Sequence, residues 1–415
     1  MRLIARLLTS VFVLLASLPP AGHAAPAPAP VPERPASPAP ERVAALAHGV
    51  NLTNWFRFPP RADDDALRTY LDDAAIAALR RAGFSFVRLA VQPELLEAVP
   101  HRLEVLVQVI RRLQRAGLAV VVGPHPTTWH LEQSAADRSR LLAFWGRVAP
   151  ALRPLDPRLT YPEILNEPVF AGAPRAWQAL QDDALATVRA ALPGATVILT
   201  GADWGGIDGL VGLRPVADPN VIYSFHFYEP SELTALAAYR PGLDRAALAR
   251  LPFPMDQAGD NAGEKAEDEA GCRAAADSTA DAATRGLITF VCSMRWDAVR
   301  VGARIERAAA WGREHHAVLL LGEFGAARAL NAPARLAWLD AVRRACEQRG
   351  IGWALWGYDD TMGFGIDPRA PVRPASVGSM PVGSKPVGSK PGGSKPGGST
   401  MDRATLSALG LDTAK

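Results

Sequence analysis

Tyr161-Pro162-Glu163-Ile164-Leu165-Asn166-Glu167-Pro168 and Ala317-Val318-Leu319-Leu320-Leu321-Gly322-Glu323-Phe324-Gly325 share one form, a short apolar run that ends in a glutamate. Runs of this kind suit strands covered on both faces, as in parallel sheets, and the residues just past such strands are where barrel proteins place their chemistry. Each run is therefore expected to be a buried strand that delivers one carboxylate at its C-terminal end.

Outward from these two runs the chain alternates strand and helix signals. Strands are predicted over 49–52, 85–91, 119–123, 160–165, 196–201, 221–227, 317–322 and 352–356, with helical periodicity over 74–82, 103–116, 138–148, 176–191, 298–315 and 333–348. Eight strands with intervening helices fit an α/β fold of the (β/α)8 TIM-barrel type, and a doubly wound open sheet is the alternative. The 415 residues suffice for one barrel with additions, and a hydrophobic content of 48% supplies a large core. A formal charge of +3 without a basic cluster gives no reason to expect a nucleic-acid partner.

The margins read differently. Arg2 and Arg6 precede an apolar stretch over 7–18, then Pro19-Pro20 and small residues through Ala24 and Ala25. This is the three-part pattern of a secretory signal peptide over 1–24, which predicts export to a periplasm or beyond. The apolar stretch is shorter than the roughly 20 residues a spanning helix needs, so no stable membrane insertion is expected after cleavage. Residues 25–42 are dominated by Ala and Pro and read as an extended linker. Residues 371–400 carry the tandem pentamers Pro381-Val382-Gly383-Ser384-Lys385, Pro386-Val387-Gly388-Ser389-Lys390 and Pro391-Gly392-Gly393-Ser394-Lys395, a composition that predicts disorder. A short amphipathic helix follows over 401–411, so the repeat is expected to be an insertion within one domain, 43–415, before its last helix.

The ends of the predicted strands carry, in order, Asn51 and Trp55, Arg88, His125 and Trp129, Asn166 and Glu167, Asp203 and Trp204, His226 and Tyr228, Glu323, and Trp356. A barrel gathers all of them at one mouth. At this point the chain resembles glycoside hydrolase family 5, the cellulase-like retaining family. Arg88 in Phe86-Val87-Arg88-Leu89, His125, Asn166-Glu167-Pro168, His226 and Tyr228 in His226-Phe227-Tyr228, Glu323 in Gly322-Glu323-Phe324-Gly325, and Trp356 match its active-site set in order and strand context. The likeness runs from about residue 49 to residue 356, plus the closing helix.

The resemblance implies that Glu167 is the general acid/base and Glu323 the nucleophile of a double displacement on a polysaccharide or oligosaccharide. Such chemistry needs one carboxyl to protonate the leaving oxygen and one carboxylate to trap the oxocarbenium-like centre. Arg88 and Tyr228 are suited to keeping Glu323 ionised, by opposite charge and by hydrogen bonding. Asn166 is placed for a sugar 2-hydroxyl, and His125 and His226 for sugar hydroxyls or for tuning Glu167. Trp356, with Trp55, Trp129 and Trp204, offers flat faces for a pyranose ring.

A segment of 65 residues, 230–294, departs from a minimal barrel and holds Cys272 and Cys292, which in an exported protein are expected to pair; Cys346 is expected to be a buried thiol. No cofactor and no metal are expected: His315 and His316 are adjacent on a helix and do not face one another. The expected protein is a monomeric endo-β-1,4-glucanase. β-Mannan, xyloglucan and β-1,3-glucan remain open as substrates, as does transglycosylation. An inactive carbohydrate-binding protein and a metal-dependent barrel hydrolase are the readings of other kinds.

Overall fold

In the computed structural model, residues 37–255, 264–360, 363–366 and 401–411 are described. The strands are β1 His48–Phe56, β2 Phe86–Val91, β3 Ala119–Pro124, β4 Thr160–Pro162, β5 Val197–Thr200, β6 Val221–Phe227, β7 Val318–Phe324 and β8 Gly352–Asp359. Every pairing is parallel, and the order around the sheet is β4-β3-β2-β1-β8-β7-β6-β5. A parallel bridge between Glu163 and Ile198 brings the two edges together, so the sheet is a nearly closed (β/α)8 barrel and the doubly wound alternative falls.

Two apolar layers hold it. Val50, Leu52, Val87, Leu89, Val120 and Val122 face outward into the main core beneath the helices. Leu46, Phe86, Ala119, Val121, Tyr161, Ile198, Ile222, Leu320 and Ala354 form a second cluster that plugs the barrel interior. Side chains alternate in direction along a strand, so the next inward positions after Phe86, Val121, Tyr161, Ile222 and Leu320 are Arg88, Gly123, Glu163, Ser224 and Gly322. Polar groups therefore stand on an apolar floor. Two glycines make the room: a Cβ on Gly123 would lie 2.6 Å from Glu163 Oε2, and one on Gly322 would lie 2.4 Å from Ser224 Oγ.

β4 is shorter than the predicted 160–165. Pro162 has no N–H to continue the ladder, and past the Glu163 bridge the chain turns toward β3, where the Asn166 N–H donates to the Pro124 carbonyl at 3.1 Å. The helices over Asp73–Arg81, Arg102–Arg115, Ala135–Leu152, Pro174–Ala191, Ala298–Glu314 and Ala332–Glu347 lie where periodicity put them. Residues 40–42, read as the end of a linker, instead open the helix Pro40–Ala45. Its Arg42 is buried and donates to Thr196 Oγ1 at 2.6 Å, with its charge 5.9 Å from the Tyr161 ring. The rest of the expected leader and linker up to residue 36 lies outside the described residues, as does the repeat over 371–400.

The segment 230–294 contains the helices Ser231–Thr234, Arg245–Leu248, Glu264–Asp277 and Ala282–Ser293, and its Leu233, Leu248, Leu251, Ile288 and Val291 join the main core. Cys272 and Cys292 are bonded to each other, 20 residues apart, and Cys346 is a free buried thiol. Closing a loop of that size contributes on the order of 3 kcal/mol by restricting the unfolded chain. The Cys272→Ser, Cys292→Ser pair is therefore expected to melt a few degrees lower than the oxidised parent in differential scanning calorimetry. The closing helix Arg403–Ala408 docks on Ala332–Glu347, where Arg335 Nη1 donates to Thr405 Oγ1 at 2.8 Å and Leu406 and Leu409 are buried. Among the described residues no helix is long and apolar enough to cross a membrane.

Candidate active site

Arg88 sits at the centre of the barrel mouth, fully buried. Nε donates to Glu163 Oε2 at 2.6 Å, and Nη2 to Glu163 Oε1 at 3.1 Å and Asn166 Oδ1 at 2.9 Å. Nη1 donates to Asn51 Oδ1 at 2.9 Å and Glu323 Oε1 at 2.5 Å. All five guanidinium donors are thus used, which is the condition under which a buried cation is tolerable. Burial opposes the charge, but Glu163 and Glu323 outweigh it and push the Arg88 pKa up. Asn51 completes the tie by donating to the Gly322 and Leu355 carbonyls at 3.1 and 3.2 Å, so that β1, β2, β7 and β8 meet at one guanidinium.

Glu323, at the end of β7, accepts from the Tyr228 hydroxyl at 3.0 Å through its second oxygen. Glu167 lies across the mouth, just past β4, with Oε1 3.0 Å from His226 Nδ1; the same nitrogen is 3.6 Å from Glu323 Oε2. One oxygen of each glutamate and one His226 nitrogen all lie within 4.8 Å of one another. Two carboxylates this close can both reach one bond of a ligand held in the mouth.

Glu167 holds this place at φ 43°, in the left-handed region that a non-glycine residue enters only under constraint. The constraint is visible: the Trp204 N–H donates to the Pro168 carbonyl at 3.1 Å, and the Asp203 N–H to the Val169 carbonyl at 2.8 Å. The Asp203-Trp204-Gly205 turn is left-handed throughout, and the Gly205 carbonyl accepts from the His226 N–H at 2.8 Å. The loop carrying Glu167 is thereby fixed to the strand carrying its imidazole partner.

Burial raises the Glu323 pKa against the pull of His226 and Arg88, with Glu167 adding to the rise. Burial also acts on Glu167, but the His226 hydrogen bond and charge outweigh it and hold its pKa down. His226 is raised because the two carboxylates outweigh the cost of its burial. The charged form of His226 is thus favoured, one hydrogen bond from Glu167. The Tyr228 hydroxyl is pushed far up by burial and by the carboxylates, so it stays a donor.

His125 is buried with neither ring nitrogen hydrogen-bonded, and its ring stacks on Trp356 with centroids 6.2 Å apart. Burial, with Arg57 and Arg88 nearby, pulls its pKa well down, so it meets a ligand as neutral imidazole. Trp204 is 58% exposed and presents an open indole. Three of the expected stacking residues do not, Trp356 being 5% exposed beside His125 and Arg57. Trp55 is fully buried in the main core, its indole N–H donating to the Leu67 carbonyl at 2.5 Å, because the β1 register shifts between Leu52 and Phe56. Trp129 is 9% exposed and lies under Arg140, whose charge is 5.1 Å from its ring.

Three residues went unassigned in the sequence. Glu163 is the bidentate partner of Arg88; the signal was an acidic residue on the same inward face as Tyr161. Arg57, just past β1, places its guanidinium carbon 5.8 Å from the Trp356 ring. Asp359, buried at the end of β8, accepts from the Thr53 N–H at 3.1 Å and from the Tyr70 hydroxyl, and so ties β8 to β1. Burial, only partly offset by these donors, pushes its pKa up to about 7. Its folded value exceeds that of an unfolded aspartate, about 3.9, so the stability linked to its proton is complete below that value and lost as pH rises through 7. Melting temperature is expected to fall between pH 5 and pH 8, and less so in Asp359→Asn.

Glu167, His226 and Glu323 are, among the described residues, the one group whose spacing would admit a metal ion, and their polar atoms already serve one another, Arg88 and Tyr228.

A family model described as Cellulase (glycosyl hydrolase family 5) matches residues 47–361. Endoglucanase 3 of Fibrobacter succinogenes is 23% identical over 337 residues, covering 75% of this chain and 49% of that protein. Endoglucanase H of Acetivibrio thermocellus is 26% identical over 203 residues, 47% of this chain and 22% of that one. The chain thus spans about half the length of the first and about a fifth of the second. Among solved structures, endoglucanase Cel5A from the hyperthermophilic Thermotoga maritima shares the fold with a TM-score of 0.64 at 22% identity, covering 89% of this chain and 98% of that one. Cel5A has also been solved in complex with mannotriose.

Proposed function

The chain belongs to glycosyl hydrolase family 5, and from that premise we propose that it is a retaining endo-β-1,4-glucanase in which Glu323 attacks the anomeric carbon and Glu167 handles the leaving-group proton. The observation that carries this reading is the pair of carboxylates, oxygens within 4.8 Å, held by Arg88 and Tyr228 on one side and His226 on the other. Arg88 and Tyr228 donate to Glu323 and leave it an anion aimed at carbon. The His226 proton passes to Glu167 and from there to the departing oxygen. In the second half, Glu167 takes a proton from water as that water displaces Glu323. Asn166, held through its Oδ1 by Arg88, keeps its amide free to donate to a sugar hydroxyl.

Reducing-end release from soluble β-1,4-glucan, β-mannan, xylan and β-1,3-glucan tests the activity. Proton NMR of the first-formed product tests the stereochemistry: the β-anomer is expected first, and initial release of the α-anomer would overturn the double displacement. Mannan is the second reading, favoured by the mannotriose complex of Cel5A. The basic and apolar start of the chain supports export; a mature N-terminus at residue 25 or 26 in a periplasmic or culture fraction is the expected finding.

A further inference from the structure

Buried arginines in this molecule have acceptors. Arg42 donates to Thr196, Arg88 uses all five N–H groups, Arg189 pairs with Asp218 at 2.5 Å, and Arg335 donates to Thr405 and the Ala326 carbonyl. Arg57 is only half-buried and is bonded differently. Its Nε is buried without a hydrogen bond, and no carboxylate among the described residues lies within ion-pair reach of its guanidinium. What it touches is aromatic: its guanidinium carbon lies 4.8 Å from the Phe58 ring and 5.8 Å from the Trp356 ring. Beside it stands His125, stacked on the same Trp356, with both nitrogens unpartnered.

The placement is fixed. The Phe56 carbonyl accepts from the Gln92 N–H at 3.0 Å, and Asp359 holds the Thr53 N–H, so the segment is anchored immediately before Arg57. Glu323 and Glu167 act on the Arg57 charge at longer range, but their direct partners are Arg88 and Tyr228 for Glu323 and His226 for Glu167. Its direction follows from the barrel circuit. Glu167 follows β4 and protonates the leaving oxygen, so the departing part of the chain lies on that side; β1 and β8, with Arg57 and Trp356, flank the opposite side, where the retained glycosyl part rests.

A half-buried guanidinium whose Nε has no internal acceptor is open to a ligand, and a carboxylate can accept two parallel N–H bonds from its planar fork. We propose that Arg57 reads a carboxylate on the glycosyl side, so that the preferred substrate is a β-glucan bearing uronate units. This rests on the glycosidase reading of the same mouth and narrows its substrate class.

The test compares kcat/KM of the full chain on cello-oligosaccharides and on the same oligosaccharides oxidised to carboxylates at C6, in the parent, Arg57→Gln and Arg57→Lys. The expected parent preference for the oxidised substrate is at least tenfold, weakening with added salt. Arg57→Gln is expected to cut the ratio of the two specificities by roughly thirtyfold, mainly through KM, with part of it restored in Arg57→Lys. Taking the ratio cancels any loss of folded protein common to both substrates. A ratio unchanged by Arg57→Gln, or a parent without preference, would overturn the proposal. If the parent cleaves neither substrate, the glucanase reading fails instead. Calorimetric titration of the oxidised oligosaccharide then decides Arg57 alone: weaker binding to Arg57→Gln than to the parent supports the role, and equal or absent binding removes it.

Discussion

Turnover is expected to fall by roughly four orders of magnitude when Glu323 becomes Gln, with the melting temperature close to that of the parent. The scale is that of deleting a nucleophile in enzymes that form covalent intermediates. The fold survives because the amide keeps the shape of the carboxyl, its oxygen still accepts from Arg88 Nη1, and Glu163 continues to balance the guanidinium. What is lost is the anion that, on the proposed mechanism, attacks carbon. Glu167→Ala separates the two roles: it should disable glucan cleavage, yet spare the first step on an aryl glycoside whose leaving group needs no proton, so that a glycosyl-enzyme accumulates. The pH profile carries the same logic. Glu323 has a raised pKa and must be ionised, so the acid limb of kcat/KM should lie above the value for an ordinary glutamate, about 4.3. His226 is raised, and on the proposed mechanism it supplies the proton that Glu167 passes on, so the alkaline limb should lie above an ordinary histidine, about 6.5. His226→Asn should draw that limb down. Undiminished turnover in folded Glu323→Gln would remove the nucleophile assignment.

The barrel was legible because its strands are covered on both faces: Val120-Val121-Val122 and Leu319-Leu320-Leu321 leave no polar stripe that would suit an open antiparallel face. The mouth was legible because a barrel collects strand ends, so Arg88, Asn166, His226, Tyr228 and Glu323 needed only their strands to be placed correctly. Direction was not legible where the backbone departs from regular alternation. The register shift in β1 sends Trp55 into the core, although Asn51 on the same strand faces inward. Trp129 lies past its strand end, where no period tells which way an indole turns. Glu163, Arg57 and Asp359 act through partners 75, 299 and 306 residues distant in sequence, and such pairings exist only once the barrel is nearly closed.

Breaking the Arg88–Glu163 pair by removing Arg88 is expected to cost about 3 to 5 kcal/mol of stability, because it leaves Glu163 buried and uncompensated, whereas removing Glu163 leaves the guanidinium paired with Glu323 and should cost less. Arg88→Ala should therefore do more harm than the loss of an active-site contact alone. It orphans Glu163, releases Asn51 and Asn166, and leaves Glu323 with burial and Glu167 both favouring its proton. Arg88→Lys should rescue little, since three donors from one ammonium cannot reach acceptors arranged around a planar fork. Glu163 touches no reacting atom and acts through Arg88, which makes it a positioning residue. In Glu163→Gln the guanidinium charge falls more completely on Glu323, whose ionised form is then favoured, so the acid limb of kcat/KM should move down even where the folded protein is fully recovered. A purely structural role would lower yield and melting temperature and leave that limb in place. A double-mutant cycle on stability with Arg88→Met and Glu163→Met separates the terms: if the pair is the unit, the double variant should be less destabilised than the sum of the two singles, because Glu163 is not left as a lone charge when Arg88 is removed. Additive losses, together with an unmoved acid limb, would mean that Glu163 is only packing.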